Sequence, residues 1–303
     1  MSKELLISST PPPHESSQWR PIPLTPPLDE SYNSVMISVL GDLYCYGKAT
    51  LTPPYRFSSH YLINPSTLTT TPLAVSDVRT DHGMINIGDY IYLIGGSNSN
   101  GAAFNKVERY DIISNTFSTL SSLPNNASYV KAGLFEGKIF AISGAGDRKV
   151  YVYDIVNDTW ESRTIPTAFD FIYRNIAYVD GYFYCFGGRT PLAVVSDSAT
   201  RYSVENDTWE YLNPASNMPA NFLASTAVLG DNIYIFGGFT DNGITTNSFY
   251  CYKISSNEFV LIETEVSPAK RSYSTMTTLD NKIYLYNGRD DTLIYGDLWE
   301  FTP

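Results

Sequence analysis

The sequence predicts an all-β fold, a six-bladed β-propeller of four-stranded blades closed by an N-terminal strand that completes the last blade. Three observations predict it. First, an apolar run of strand type ends six times in a glycine-containing dipeptide: Gly47-Lys48, Gly95-Gly96, Ser143-Gly144, Gly187-Gly188, Gly237-Gly238 and Asn287-Gly288. Their first residues lie 48, 48, 44, 50 and 50 positions apart, a period that marks one supersecondary unit repeated around an axis. Second, Tyr alone numbers 24 and charged residues make up only 17%, a balance suited to pleated, half-buried strands. Third, the last unit is one strand short. Its third strand, Asp297-Leu298-Trp299-Glu300-Phe301, has no successor, whereas Gln18-Trp19-Arg20-Pro21-Ile22 reads as a fourth strand ahead of the first unit. Pairing the two would close the ring and remove open sheet edges.

The elements of each unit follow in order. The innermost strands are expected over 35–40, 83–87, 131–135, 175–179, 225–229 and 275–279. Tight turns such as Gly41-Asp42, Glu136-Gly137, Asp180-Gly181 and Asp280-Asn281 come next, built from residues that tolerate positive φ. The second strand is the apolar run, as in Ile91-Tyr92-Leu93-Ile94. Its terminal glycines suggest close backbone approach near the ring axis. A third strand carries an aromatic: Tyr61, Tyr110, Tyr153, Tyr202, Tyr252 and Phe301. A fourth begins with Leu68, Phe117, Trp160, Trp209 or Phe259, after turns such as Asn157-Asp158-Thr159 and Asn206-Asp207-Thr208. Those Asn-Asp-Thr runs also match a glycosylation acceptor, but turn chemistry explains them better.

The pattern of apolar run, Gly-Gly, Tyr and Asn-x-Thr-Trp at about 50-residue spacing resembles the kelch repeat. The resemblance covers about Gln18 to Phe301. Lys48, Ser143 and Asn287 each replace one glycine of a pair. The resemblance implies a six-bladed propeller that binds through the face gathering the loops into each innermost strand and out of each second strand. It also implies a protein-binding role. Residues 1–16, with Pro11-Pro12-Pro13, are expected to form a flexible lead-in, and residues 17–303 a single propeller.

A formal net charge of −11 argues against nucleic acid and anionic lipid as partners, and no apolar stretch is long enough to cross a bilayer. Cys45, Cys185 and Cys251 are odd in number and scattered, which favours buried thiols in a reduced, cytoplasmic protein. No cofactor is expected, and a monomer is.

Counting back from each dipeptide aligns the loop entries. Fourteen residues before it stand Asn33, Asp81, Tyr129, Tyr173, Leu223 and Tyr273. Nearby rows and the exit loops would bring Arg56, Arg79, Lys131, Arg148, Arg174, Arg189, Arg271 and Arg289 to one mouth, with Tyr129, Tyr173, Asn175 and Tyr273 among them. That is eight of the 20 Lys and Arg residues of an acidic chain. Arg suits bidentate capture of carboxylate or phosphate, and Tyr supplies stacking area with a polar tip. The expected function is a binding module that takes a protein partner or acidic peptide at this Arg/Tyr mouth. A bland alternative pairs these arginines with Asp81, Asp147, Asp290 and Asp291. A second functional reading is an isomerase- or lyase-type enzyme whose small anionic substrate is held by Arg79, Arg174 and Arg271. His82, Asp81 or Tyr273 would then move protons, without a metal.

Overall fold

The computed structural model describes residues 17–190 and 192–303; the expected lead-in over residues 1–16 lies outside the described residues. Six four-stranded antiparallel sheets follow one another around the ring. Blade 1 comprises Val35–Val39, Asp42–Ala49, Arg56–Asn64 and Thr69–Pro72, and blade 2 comprises Gly83–Ile87, Tyr90–Ile94, Val107–Asp111 and Thr116–Leu120. Blade 3 comprises Ala127–Phe135, Lys138–Gly146, Lys149–Asp154 and Thr159–Thr164. Blade 4 comprises Asn175–Val179, Tyr182–Phe186, Ala199–Ser203 and Thr208–Tyr211; blade 5 comprises Ser225–Leu229, Asn232–Phe236, Phe249–Lys253 and Glu258–Leu261. Blade 6 takes Thr275–Leu279, Lys282–Tyr286 and Leu298–Thr302 from one end of the chain and Gln18–Ile22 from the other.

The closing strand pairs in register from Gln18 opposite Thr302 to Ile22 opposite Leu298. Trp19 is only 2% exposed. Its ring centroid lies 5.2 Å from Phe301, 5.0 Å from Phe249 and 5.5 Å from Phe236. The last two belong to blade 5, so Trp19 also fills the seam between blades 5 and 6.

The recurring Tyr and Asn/Asp have a shared job. The hydroxyls of Tyr110, Tyr153, Tyr202 and Tyr252 donate to Asn115, Asp158, Asp207 and Asn257, each five residues on, at 2.6–2.8 Å. Each acceptor holds a left-handed φ between 51 and 55°, which Asn and Asp tolerate best among residues with a side chain. Three of them also reach the preceding blade. Asn115 accepts from the Ala74 N–H, Asp158 accepts from the Ser121 N–H, and Asn257 donates to the Leu212 carbonyl. The turns are therefore staples between blades. Blade 1 lacks this staple: Leu68 precedes its fourth strand, which begins at Thr69.

The glycines approach another backbone, that of an entry loop. A side chain on Gly187 would sit 2.0 Å from the Asn221 carbonyl oxygen, and one on Gly237 2.2 Å from that of Arg271. Both oxygens belong to the entry loop of the next blade. Blade 3, with Ser143 in place of a glycine, runs straight on as strand to Gly146.

Candidate functional site: the mouth and its arginines

The row fourteen residues before each dipeptide is a physical ring. Asn33, Asp81, Tyr129, Tyr173, Leu223 and Tyr273 all take a left-handed φ, between 52 and 61°. Backbone bonds link them around the mouth: Asn33 N–H to Tyr273 O, Asp81 N–H to Asn33 O, Leu223 N–H to Tyr173 O and Tyr273 N–H to Leu223 O, at 3.0–3.2 Å. Between blades 2 and 3 the bond slips by one residue, from Val130 N–H to Asp81 O. Between blades 3 and 4 the belt breaks, because the Tyr173 N–H turns to the Gly144 carbonyl.

This ring sorts the predicted cations. Arg79 and Arg271 are fully buried, at 0% exposure. Arg79 donates to the carbonyls of Leu93, Gly95 and Lys106 and pairs with Glu108 at 2.8 Å. Arg271 donates to the Ala269 and Asn287 carbonyls and makes a two-pronged pair with Asp297. Arg174 leans into the seam between blades 3 and 4, its guanidinium 4.7 Å from the Phe171 ring and 5.6 Å from that of Trp209. The expected anion clamp of these three arginines therefore does not form. Arg79 and Arg271 run into the wall, where acceptors already hold them, and Arg174 is held against rings at the edge of the central channel.

Asn175 is also structural. It bridges the Asn221 side chain and the Ala224 N–H at the seam between blades 4 and 5. Arg56 donates to the Thr80 hydroxyl, and Arg148 pairs with Asp170 at 3.2 Å. The carboxylates once matched to the arginines are spent elsewhere. Asp147 accepts from Asn125 and Tyr151, and Asp290 from the Thr292 and Leu293 N–H groups and the Tyr295 hydroxyl.

Arg189 and Arg289 remain, both half-buried and, among the described residues, without a carboxylate partner. They sit on a continuous aromatic ladder. Arg189 lies 5.1 Å from the Phe222 ring, Phe222 stacks on Phe239 at 5.3 Å, and Phe239 meets Tyr273 at 5.8 Å. Arg289 lies 5.3 Å from both Tyr273 and Tyr32, whose own centroids are 5.8 Å apart. On the opposite side Tyr129 and Tyr173 meet edge to face at 4.9 Å. Around this rim the exit loops of blades 4, 5 and 6 expose Leu192, Val194, Ile244 and Leu293. Tyr32 and Phe222 share the position fifteen residues before the dipeptide, a row whose alignment would have revealed them. The apolar loop tips carry no comparable signal.

The proton-transfer candidates are poorly placed. His82 is 1% exposed, neither ring nitrogen has a hydrogen-bond partner among the described residues, and its ring stands edge-on to Tyr46 at 5.5 Å. Burial holds it well below the ordinary histidine range, and Arg79 and His60 add to this. Burial also raises the Tyr129 and Tyr273 hydroxyls, so both stay protonated near neutral pH. Among the described residues no group of three His, Cys, Asp or Glu converges as a metal site. Cys45, Cys185 and Cys251 are free and buried, and no described helix is long and apolar enough to cross a membrane.

Asp81 is the exception in its electrostatics. Burial pushes its carboxyl up to about 6, against lowering by the Thr80 hydroxyl and Arg56. The folded state thus holds a proton that the unfolded chain releases near pH 4. Stability should fall as pH rises from about 4 to 6 and stay lower above. Asp81→Asn keeps an oxygen acceptor for Thr80, tolerates the left-handed φ and carries no charge. It is expected to be more stable than wild type at pH 7.5, by on the order of 2 kcal/mol, and equal to it at pH 4. Urea unfolding at both pH values checks this; a gain that is the same at both refutes the assignment.

Comparisons with known proteins agree with the architecture. The family model described as KLHDC2/KLHL20/DRC7 Kelch-repeats domain matches residues 174–303, and the Kelch motif matches residues 79–124. The chain is 28% identical over 142 residues to an F-box/LRR-repeat/kelch-repeat protein of Arabidopsis thaliana, covering 44% of this chain and 36% of that protein. It is 27% identical over 159 residues to Kelch-like protein 35 of Mus musculus, covering 50% and 26%. It is 28% identical over 147 residues to Kelch repeat and BTB domain-containing protein 2 of Ectromelia virus, covering 42% and 26%. The match spans about a quarter to a third of the length of these relatives. The six glycine-marked blades, the closing N-terminal strand and these matches together make the chain a member of the kelch-repeat family.

Proposed function

We propose that this propeller is a protein-binding module whose mouth takes an acidic segment of a partner. One observation carries the reading: Arg189 and Arg289 are held by aromatic stacking on one ladder and retain donors that no carboxylate occupies. Stacking orders the guanidinium while leaving its edge for a planar oxyanion. Arg and aromatic residues are also the types that dominate interface hot spots. The apolar tips Leu192, Val194, Ile244 and Leu293 supply area that excludes water around such a contact. The matching partner is an acidic loop flanked by apolar residues.

The test is a capture experiment from cell extract with immobilised wild type and with Arg189→Ala/Arg289→Ala. The double variant is expected to lose the captured partner while its melting temperature stays close to wild type. Capture in the wild type should weaken as salt rises, because the contact is charged. Equal capture by both proteins overturns the reading, and so does a melting temperature that falls together with capture.

A further inference from the structure

The innermost strands enclose a central channel with two chambers. The upper one opens at the mouth and has a cavity volume of about 170 Å³, and the lower has one of about 450 Å³. Ile37, Met84, Lys131, Thr226 and Met276 border both, so the chambers adjoin. Lys131 is the one charged side chain lining the lower chamber among the described residues. Asp81 and Arg174 also border the upper chamber. Arg189 and Arg289 border neither.

Lys131 differs from its counterparts. In the same row blades 1 and 2 carry Val35 and Gly83, whereas in blades 4, 5 and 6 polar side chains bond across the seam toward the following blade. The Thr275 hydroxyl accepts from the Met36 N–H, the Ser225 hydroxyl meets that of Ser274, and Asn175 bridges to Asn221. The Lys131 ammonium makes no hydrogen bond or ion pair among the described residues, and it stands at the seam where the backbone belt breaks. Burial alone lowers its pKa, with no compensating charge. An unpaired ammonium in such a place is unfavourable, and an anion entering the channel would relieve it. The lower chamber accepts one negative charge, because it offers one positive charge. Its remaining wall mixes apolar side chains such as Ile85, Ala177 and Val228 with polar ones such as Ser38, Asn86 and Thr277.

We infer that the channel binds a small monocarboxylate, its carboxylate paired with Lys131 and its apolar body in the lower chamber. The lower chamber, at about 450 Å³, is of the size class that suits a small molecule. The site is separate from the rim arginines, so it does not depend on the protein-binding reading.

Hexanoate is the probe, with hexanol and sodium chloride at matched concentration as controls. Hexanoate is expected to raise the melting temperature of the wild type in a concentration-dependent way and to bind one per chain by calorimetry. Hexanol should bind more weakly and chloride should not reproduce the shift. Lys131→Met should leave the unliganded protein at least as stable. It should weaken hexanoate at least about tenfold, the worth of one charge-assisted hydrogen bond. Lys131→Gln serves as a second variant. Capture of the partner at the mouth should survive both substitutions, as hexanoate binding should survive Arg189→Ala/Arg289→Ala. The inference is overturned if the wild type does not bind hexanoate, if hexanol binds equally well, or if both Lys131 variants bind hexanoate like wild type.

Discussion

Trp19→Ala is expected to destabilise the protein by about 3–5 kcal/mol, the usual range for removing a large buried aromatic. The ring is 2% exposed and packs on three others, Phe236, Phe249 and Phe301. Its strand closes the ring, so the loss falls on the one blade assembled from both ends of the chain. A frayed closing strand would also leave the Leu298–Thr302 edge unpaired and open to other chains. Aggregation at elevated temperature should therefore accompany the loss. Trp19→Phe should be much milder, because it keeps most of the ring area and removes a buried indole N–H that has no acceptor. Chemical denaturation of the three proteins measures this. A Trp19→Ala variant within about 1 kcal/mol of wild type would mean that closure contributes little, against the expectation for a buried Trp.

Arg79→Ala is expected to cost about 3–5 kcal/mol, the range for breaking a buried ion pair by removing one partner. Glu108 would keep Lys106 and the Ser76 hydroxyl, which softens the loss, but three carbonyls would lose a donor. Arg271→Ala should cost less, about 1–3 kcal/mol, because the Asp297 side chain is 38% exposed and can turn to water. Both contrast with the rim arginines, whose removal should leave stability almost untouched. Thermal melts of Arg79→Ala, Arg271→Ala and Arg189→Ala/Arg289→Ala separate the two groups. A stable Arg79→Ala protein would show that the Glu108 pair is dispensable.

The candidate site was only half legible before the structure. The row Asn33, Asp81, Tyr129, Tyr173, Leu223 and Tyr273 could be aligned by counting, and it is the left-handed ring of the mouth. The fate of each neighbouring cation could not be counted. Arg79 finds Glu108 29 residues away on the third strand of its blade, and Arg271 finds Asp297 26 residues away, just before the third strand of its own. Arg189 and Arg289, no different as letters, find only rings. The glycines show the same limit: their spacing was evident, but the carbonyl admitted by Gly47, Gly95, Gly187 or Gly237 belongs to the next blade, and that admitted by Gly96, Gly188 or Gly238 to its own.

From its amino acids alone this chain determined six repeating units, their four strands, the Tyr–Asx turns and the pairing of its two ends. Those features follow from local spacing and from the need to bury apolar faces and pair strand edges. Only the tertiary structure decided which arginines face the mouth, and that Lys131 stands unpaired among the described residues in the channel. A long cationic side chain is placed by the acceptors around it, and these come from strands and blades far apart in sequence.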